Sequence, residues 1–178
     1  MTDLNVLWYK AAYPERWREA LMDNVWREYY RKIVVFISVS YGLSGAADDL
    51  AQEVMMKAYE GLDSYDRRYA LSTWLYTIAR NHCIDYLKRR RVQTVTVSGN
   101  EYGTADTERD AMRQALDDAV TRSLSRCGVD DRGIAYLALY ERASYKRIAA
   151  VFGMSIASVK NRVHALRVML RNDLKEWL

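Results

Sequence analysis

"SYKRIAAVFGMSIASVKNRVHALRVML", residues 144–170, reads as two helices around a tight turn. Ser144 stands where a side-chain oxygen can cap the first helix, and Ser155 where one can cap the second. Ile148 and Ala149 face inward, and the small Ala149 lets a following helix cross closely. Gly153 falls at a turn that needs left-handed backbone, which glycine adopts without a Cβ penalty. Beyond Ser155, the residues Val159, Val163, Leu166 and Leu170 recur at intervals of four, three and four, making one apolar stripe. Lys160, Asn161, His164 and Arg171 fall on other faces, mostly opposite the stripe. One face to hold a fold and a basic face turned outward is the pattern of a recognition helix that enters the major groove. Arg167 and Lys175 are placed to touch phosphate or to be solvated. The plainer reading is an αα-hairpin with a solvated basic face; the two serine caps and the basic outer face favour DNA.

Upstream of this unit, residues 109–125 and about 130–141 carry helical patterns, and 155–176 completes the C-terminal helix. Before them, "VQTVTVSGNEYGTADTE" (92–108) has β-branched residues, Ser, Gly and Asn without a helical period. It reads as an interdomain linker, with a short β-hairpin as the alternative. The chain therefore divides into a domain over 1–92, a linker over 93–108 and a helix-turn-helix domain over 109–178.

In the first domain, residues 14–40 and 46–61 are amphipathic helices separated by "YGLSG" (41–45). Pro14 suits the first turn of the former. Asp48 and Asp49 lie in the first turn of the latter, at the positive end of its macrodipole. After a polar, aromatic loop (62–72) comes a third long helix, "TWLYTIARNHCIDYLKRRR" (73–91). At about 100° per residue, Leu75, Ile78, Ala79, His82 and Tyr86 gather on one face and belong to a core. Trp74, Thr77, Asn81, Asp85 and Lys88 gather on another. That face mixes an aromatic, an amide and a cation, as single-stranded nucleic acid requires for stacking, base-edge hydrogen bonds and phosphate pairing. Tyr65 and Tyr69 add stacking surface, and Arg67, Arg68 and Arg80 add charge. The plainer reading makes Trp74 and Tyr76 core anchors and the arginines solvated. Ile84, nearly opposite the core face, calls for a further helix to cover it.

The bulk properties agree with these assignments. The 178 residues are 50% hydrophobic and 28% charged, a globular composition, and the net charge of +4 suits an anionic partner. A single proline and eight glycines point to an all-α protein of two small helical domains. No apolar run is long enough for membrane insertion, and no signal peptide is recognisable, so a cytoplasmic chain is expected. Cys83 and Cys127 form no CxxC pair and read as reduced thiols. With only His82 and His164 available, no metal site is called for, nor any cofactor.

Two stretches together resemble a known family. "DDLAQEVMMKAYEGLDSYD…STWLYTIARNHCIDYLKRRR" resembles conserved region two of bacterial sigma-70-family factors, and "SYKRIAAVFGMSIASVKNRVHALR" resembles their region four. Only these two regions joined by a short linker is similar to the extracytoplasmic-function (ECF) sigma factors. The resemblance runs from about Trp26 to Leu174. It implies a transcription initiation factor, not an enzyme, that binds RNA polymerase core and directs it to promoter DNA through −10 and −35 elements. The implied partners are the β′ clamp helices and the β flap of the polymerase, promoter DNA and an anti-sigma factor.

The resemblance also carries residue roles. Asp49, Leu50, Gln52, Glu53 and Met56 match the segment that docks on the clamp helices. Tyr65, Asp66, Arg67, Arg68, Tyr69 and Ala70 match the loop that captures a flipped −10 base, and Asn81 matches the asparagine of the "ARN" motif beside it. Trp74 and Asp85 share that face, and Lys88, Arg89, Arg90 and Arg91 are placed for the neighbouring phosphates. Ser158, Lys160, Asn161, His164, Arg167 and Arg171 are expected to meet the −35 element. Leu71, Thr77 and Ala165 depart from residues common in the family, which bears on the promoter sequence. Residues 1–23 extend beyond the usual start. Two rival readings remain: a stand-alone helix-turn-helix regulator, which leaves the Trp74–Asn81 face idle, and a nuclease using Asp48, Asp49 and Glu53, for which no further ligand is at hand.

Overall fold

The computed structural model describes residues 6–66, 68–93 and 108–175, and every regular element in them is helical. The region expected to be a linker lies almost wholly outside the described residues. A short helix α1 (Val6–Ala12) precedes α2 (Trp17–Tyr41). Pro14 sits in the turn between them rather than inside a helix. There its missing N–H costs nothing, and the Arg16 N–H closes the turn on the Tyr13 carbonyl oxygen at 3.1 Å. α2 ends where Gly42 takes φ +67° and its N–H returns to the Ser38 carbonyl oxygen.

α3 (Ala47–Glu60) runs back along α2. Tyr30 at one end donates from its hydroxyl to the Asp48 carboxylate, and at the other end Arg18 pairs with Asp63. A 3₁₀ turn (Gly61–Ser64) and a loop lead to α4 (Leu71–Gln93). Val25, Ile33 and Phe36 of α2, Leu50, Ala51, Val54 and Met55 of α3, and Leu75, Ala79 and Cys83 of α4 bury one core.

The second half contains α5 (Glu108–Ser125), α6 (Val129–Ala135), α7 (Tyr145–Phe152) and α8 (Ile156–Asp173). The helix expected over about 130–141 is α-helical only to Ala135. Tyr136–Tyr140 widens into a π-helical turn, in which the Glu141 N–H reaches the Tyr136 carbonyl oxygen at 3.1 Å. The turn at 144–170 forms as expected. The Ser144 and Ser155 side chains accept from the N–H groups of Arg147 and Ser158, and Gly153 takes φ +65°. Val159, Val163 and Leu166 are buried, while Leu170 is partly so.

The two halves pack on one another, α6 against α2 and α7 against α4. Phe36, Tyr76 and Tyr136 meet edge-on or tilted, with centroids 5.1–6.4 Å apart. The Tyr136 hydroxyl donates to the Lys32 carbonyl oxygen at 3.0 Å, and Arg147 donates to the Ser72 hydroxyl. At Gly133 a Cβ would lie 2.7 Å from the Phe152 ring, so only glycine lets α6 pass this close. Ile84 stays partly buried and borders a depression shared with Gly128, Val129 and Asp130, so the second half approaches it from one side. The packing also places Tyr76, 1% exposed, firmly in the core.

Candidate polymerase and nucleic-acid interfaces

The exposed side of α3 carries Asp48, Asp49, Gln52, Glu53 and Met56, with Met56 61% exposed. Leu50 is a correction: it is 2% exposed and packs in the core, because its helical position faces α2. It positions the helix and is not available to a partner. Sequence reasoning missed the continuation of this surface onto α2. Trp26, 43% exposed, stacks on Tyr30 with centroids 4.8 Å apart and planes 8° from parallel. Tyr59 is also exposed and meets Glu19 at 3.4 Å. The i, i+4 spacing of Trp26 and Tyr30 was a legible signal of their stacking, but their place beside α3 was not.

On the adjoining side of α3 lies a cleft of about 320 Å³, lined by Lys57, Gly61, Ser64, Trp74, Ile78, Asn81, His82 and Asp85. The expected Trp74–Asn81–Asp85 face is therefore brought together. Trp74 is both anchor and wall: it is half-buried, its ring lies 5.3 Å from that of Tyr65, and a Cβ on Gly61 would come within 3.2 Å of it. The cleft provides an indole, an amide, a hydroxyl and an ammonium group. Lys57 was not foreseen, because only the packing of α3 on α4 brings it there.

Beside the cleft, the Tyr65 hydroxyl donates to the Tyr69 carbonyl oxygen. Asp66 accepts from the Arg68 N–H at 3.0 Å and from its guanidinium at 2.8 Å. The Arg68 guanidinium thereby holds the Asp66 carboxyl below its usual range. Tyr69 is half exposed, and the Ala70 carbonyl oxygen accepts from the Thr73 N–H as α4 begins. Arg67 and the Arg91 side chain lie outside the described residues. Lys88 and Arg89 are exposed beyond the cleft, Lys88 3.7 Å from Asp85, and Arg90 is partly buried. Thr77 donates to the Thr73 carbonyl oxygen within its own helix. Arg80, expected to add charge for nucleic acid, instead pairs with Asp130 at 3.1 Å and lies over the Phe152 ring. Its helical position turns it to the C-terminal half.

On α8, Lys160, Asn161, His164, Arg167 and Arg171 are all exposed. Ser158 is partly buried and its N–H is held by the Ser155 cap. Arg162, between the outward residues, pairs with Asp131 at 2.7 Å. Among the described residues, no helix is long and apolar enough to cross a membrane.

α8 turns a basic face outward, α3 an acidic one flanked by exposed aromatics, and the cleft between α3 and α4 sets an indole beside an amide. The family profile described as Sigma-70 region 2 matches residues 25–92. The RNA polymerase sigma factor YlaC of Bacillus subtilis is 28% identical over 159 residues, covering 86% of this chain and 91% of the relative. The ECF RNA polymerase sigma factor EcfG of Rhodopseudomonas palustris is 33% identical over 142 residues, covering 75% and 74%. Among solved structures, the sigma factor RpoE in complex with the anti-sigma factor NepR from Bartonella quintana superposes with a TM-score of 0.63 at 25% identity, covering 93% of this chain and 98% of that one. The chain belongs to the ECF RNA polymerase sigma factors of the sigma-70 family, and is a transcription initiation factor.

Proposed function

We propose a division of labour within this sigma factor. The α3 face of Asp49, Gln52, Glu53 and Met56, extended by Trp26 and Tyr30, docks on the polymerase core through the β′ clamp helices. The cleft at Trp74 and Asn81, with the Tyr65–Ala70 loop, receives a −10 base after it leaves the stack. Lys160, Asn161 and His164 read the −35 element, with Arg167 and Arg171 toward phosphate. The two halves, 1–92 and 109–178, act as separate modules on the promoter. An anti-sigma factor is a further partner of this reading, supported by the relative that is held by one.

The observation that carries the reading is the cleft. Its volume of about 320 Å³ is at the lower end of the ~300–1,000 Å³ typical of small-ligand sites. Asn81 at its edge is exposed, and its amide offers both a donor and an acceptor to a base edge. Flipping a base costs a few kcal/mol of stacking and pairing, which capture in the cleft must offset.

The test is Asn81→Ala. It should preserve core affinity and closed-complex binding but reduce open complexes, and a promoter premelted across the −10 element should recover much of the activity. Permanganate reactivity of −10 thymines and transcription at wild-type levels on duplex promoters would exclude Asn81 from capture.

A further inference from the structure

One contact joins the docking face to the cleft. His82 is 6% exposed, lines the cleft and follows Asn81 directly on α4. Its Nε2 lies 2.8 Å from a Glu53 carboxylate oxygen, yet without the alignment of a hydrogen bond, so this buried nitrogen has no aligned partner. The Glu53 side chain is 55% exposed and projects from the docking side of α3. Lys57, one turn further along α3, lines the same cleft. A buried imidazole that touches only the edge of a carboxylate is poorly satisfied, and a small shift of either group changes its partner.

We propose that His82 is a positioning residue that couples polymerase docking to base capture through Glu53. In the free protein the Glu53 carboxylate holds the His82 ring back against α3. A basic group of the polymerase that engages Glu53 from its exposed side draws the carboxylate outward. His82 then turns its unsatisfied nitrogen to the cleft, beside Asn81, where a base or its phosphate supplies the partner. Docking and capture thus favour each other, and by linkage each raises the affinity of the other by the same factor. The inference rests on the cleft being the site of base capture.

The experiment is a double-mutant cycle on the full chain, reading the affinity for a fluorescent single-stranded −10 oligonucleotide with and without polymerase core. Core should tighten oligonucleotide binding by the wild type at least about fivefold, the lower end of usual site–site coupling. Glu53→Gln should tighten binding by the free protein and shrink the gain that core brings. In a His82→Leu background, Glu53→Gln should no longer change free-protein affinity. A simple loss of negative charge near nucleic acid would act alike in both backgrounds, so equal effects of Glu53→Gln with and without His82 overturn the coupling. If His82→Leu is not folded by circular dichroism, His82→Gln takes its place under the same criterion. Asn81→Ala separates the two ideas. If it lowers oligonucleotide affinity while the cycle is additive, the coupling alone fails; if it leaves affinity unchanged, the capture site itself is wrong.

Discussion

At the scale of single residues, burial sets the chemistry of the thiols and phenols. Cys83 is fully buried, which pushes its thiol up to about 12, and Tyr29 is pushed up to about 12 in the same way. Both groups are neutral in the folded chain and ionise more readily once unfolded, from ordinary values of 9.0 and 10.0. Their contribution to stability is thus complete below the unfolded values and is lost as the pH rises toward the folded ones. Thermal melts should show a midpoint insensitive to these groups up to pH 9.0, then a fall as the pH climbs toward about 12. A thiol reagent at about pH 8, near the pKa of a free thiol, should titrate the partly buried Cys127 in the native protein and reach Cys83 only after denaturation. Rapid native labelling of both would contradict the burial of Cys83.

At the scale of elements, α8 divides its surface between a buried apolar stripe and an exposed basic face, the one proposed to read the −35 element. Val159, Val163 and Leu166 anchor it, and its serine cap is of a kind worth about 1 kcal/mol. Rigid anchoring is what lets outward side chains discriminate bases, since a loosely held helix would average over registers. Lys160→Ala should therefore cost about 1–3 kcal/mol on a preferred −35 sequence and relax preference at one or two positions, measured by competition among promoter variants. A uniform loss across all sequences with a shallower salt dependence would instead make Lys160 a phosphate contact.

At the scale of the whole molecule, the proposed division of labour asks for a promoter-bound arrangement different from the compact packing. Elements named −10 and −35 are about 25 base pairs apart, roughly 85 Å of B-form DNA at 3.4 Å per pair. A compact chain of 178 residues has a radius of gyration of about 16 Å. On the proposed division of labour, the two halves part so that both elements are read together. Parting exposes Phe36, Tyr76 and Tyr136 and breaks the Arg80–Asp130 pair. Spin labels at the exposed Arg31 and Tyr140, which flank the Lys32–Glu141 pair at 3.8 Å, with both native cysteines replaced, should show a short distance in the free protein. In a promoter complex with polymerase that distance should lengthen by tens of ångströms. An unchanged distance would mean that the halves stay closed on DNA.

What the sequence determined by itself is mostly local. The serine caps, Gly153, the apolar stripe of α8 and the all-α class follow from backbone preference and helical period, which act over a few residues. The resemblance of two motifs in order supplied the family, which the relatives bear out, and the residues proposed for the interfaces. Only the tertiary structure decided what depends on helices distant in the chain. It put Leu50 in the core, turned Arg80 toward Asp130, set Ile84 at the edge of a depression shared with the second half, and brought Lys57 and His82 to the wall beside Asn81. Periodicity says which residues share a face of one helix. It does not say which other helix that face meets, because that choice is made by the packing of side chains drawn from both halves of the chain.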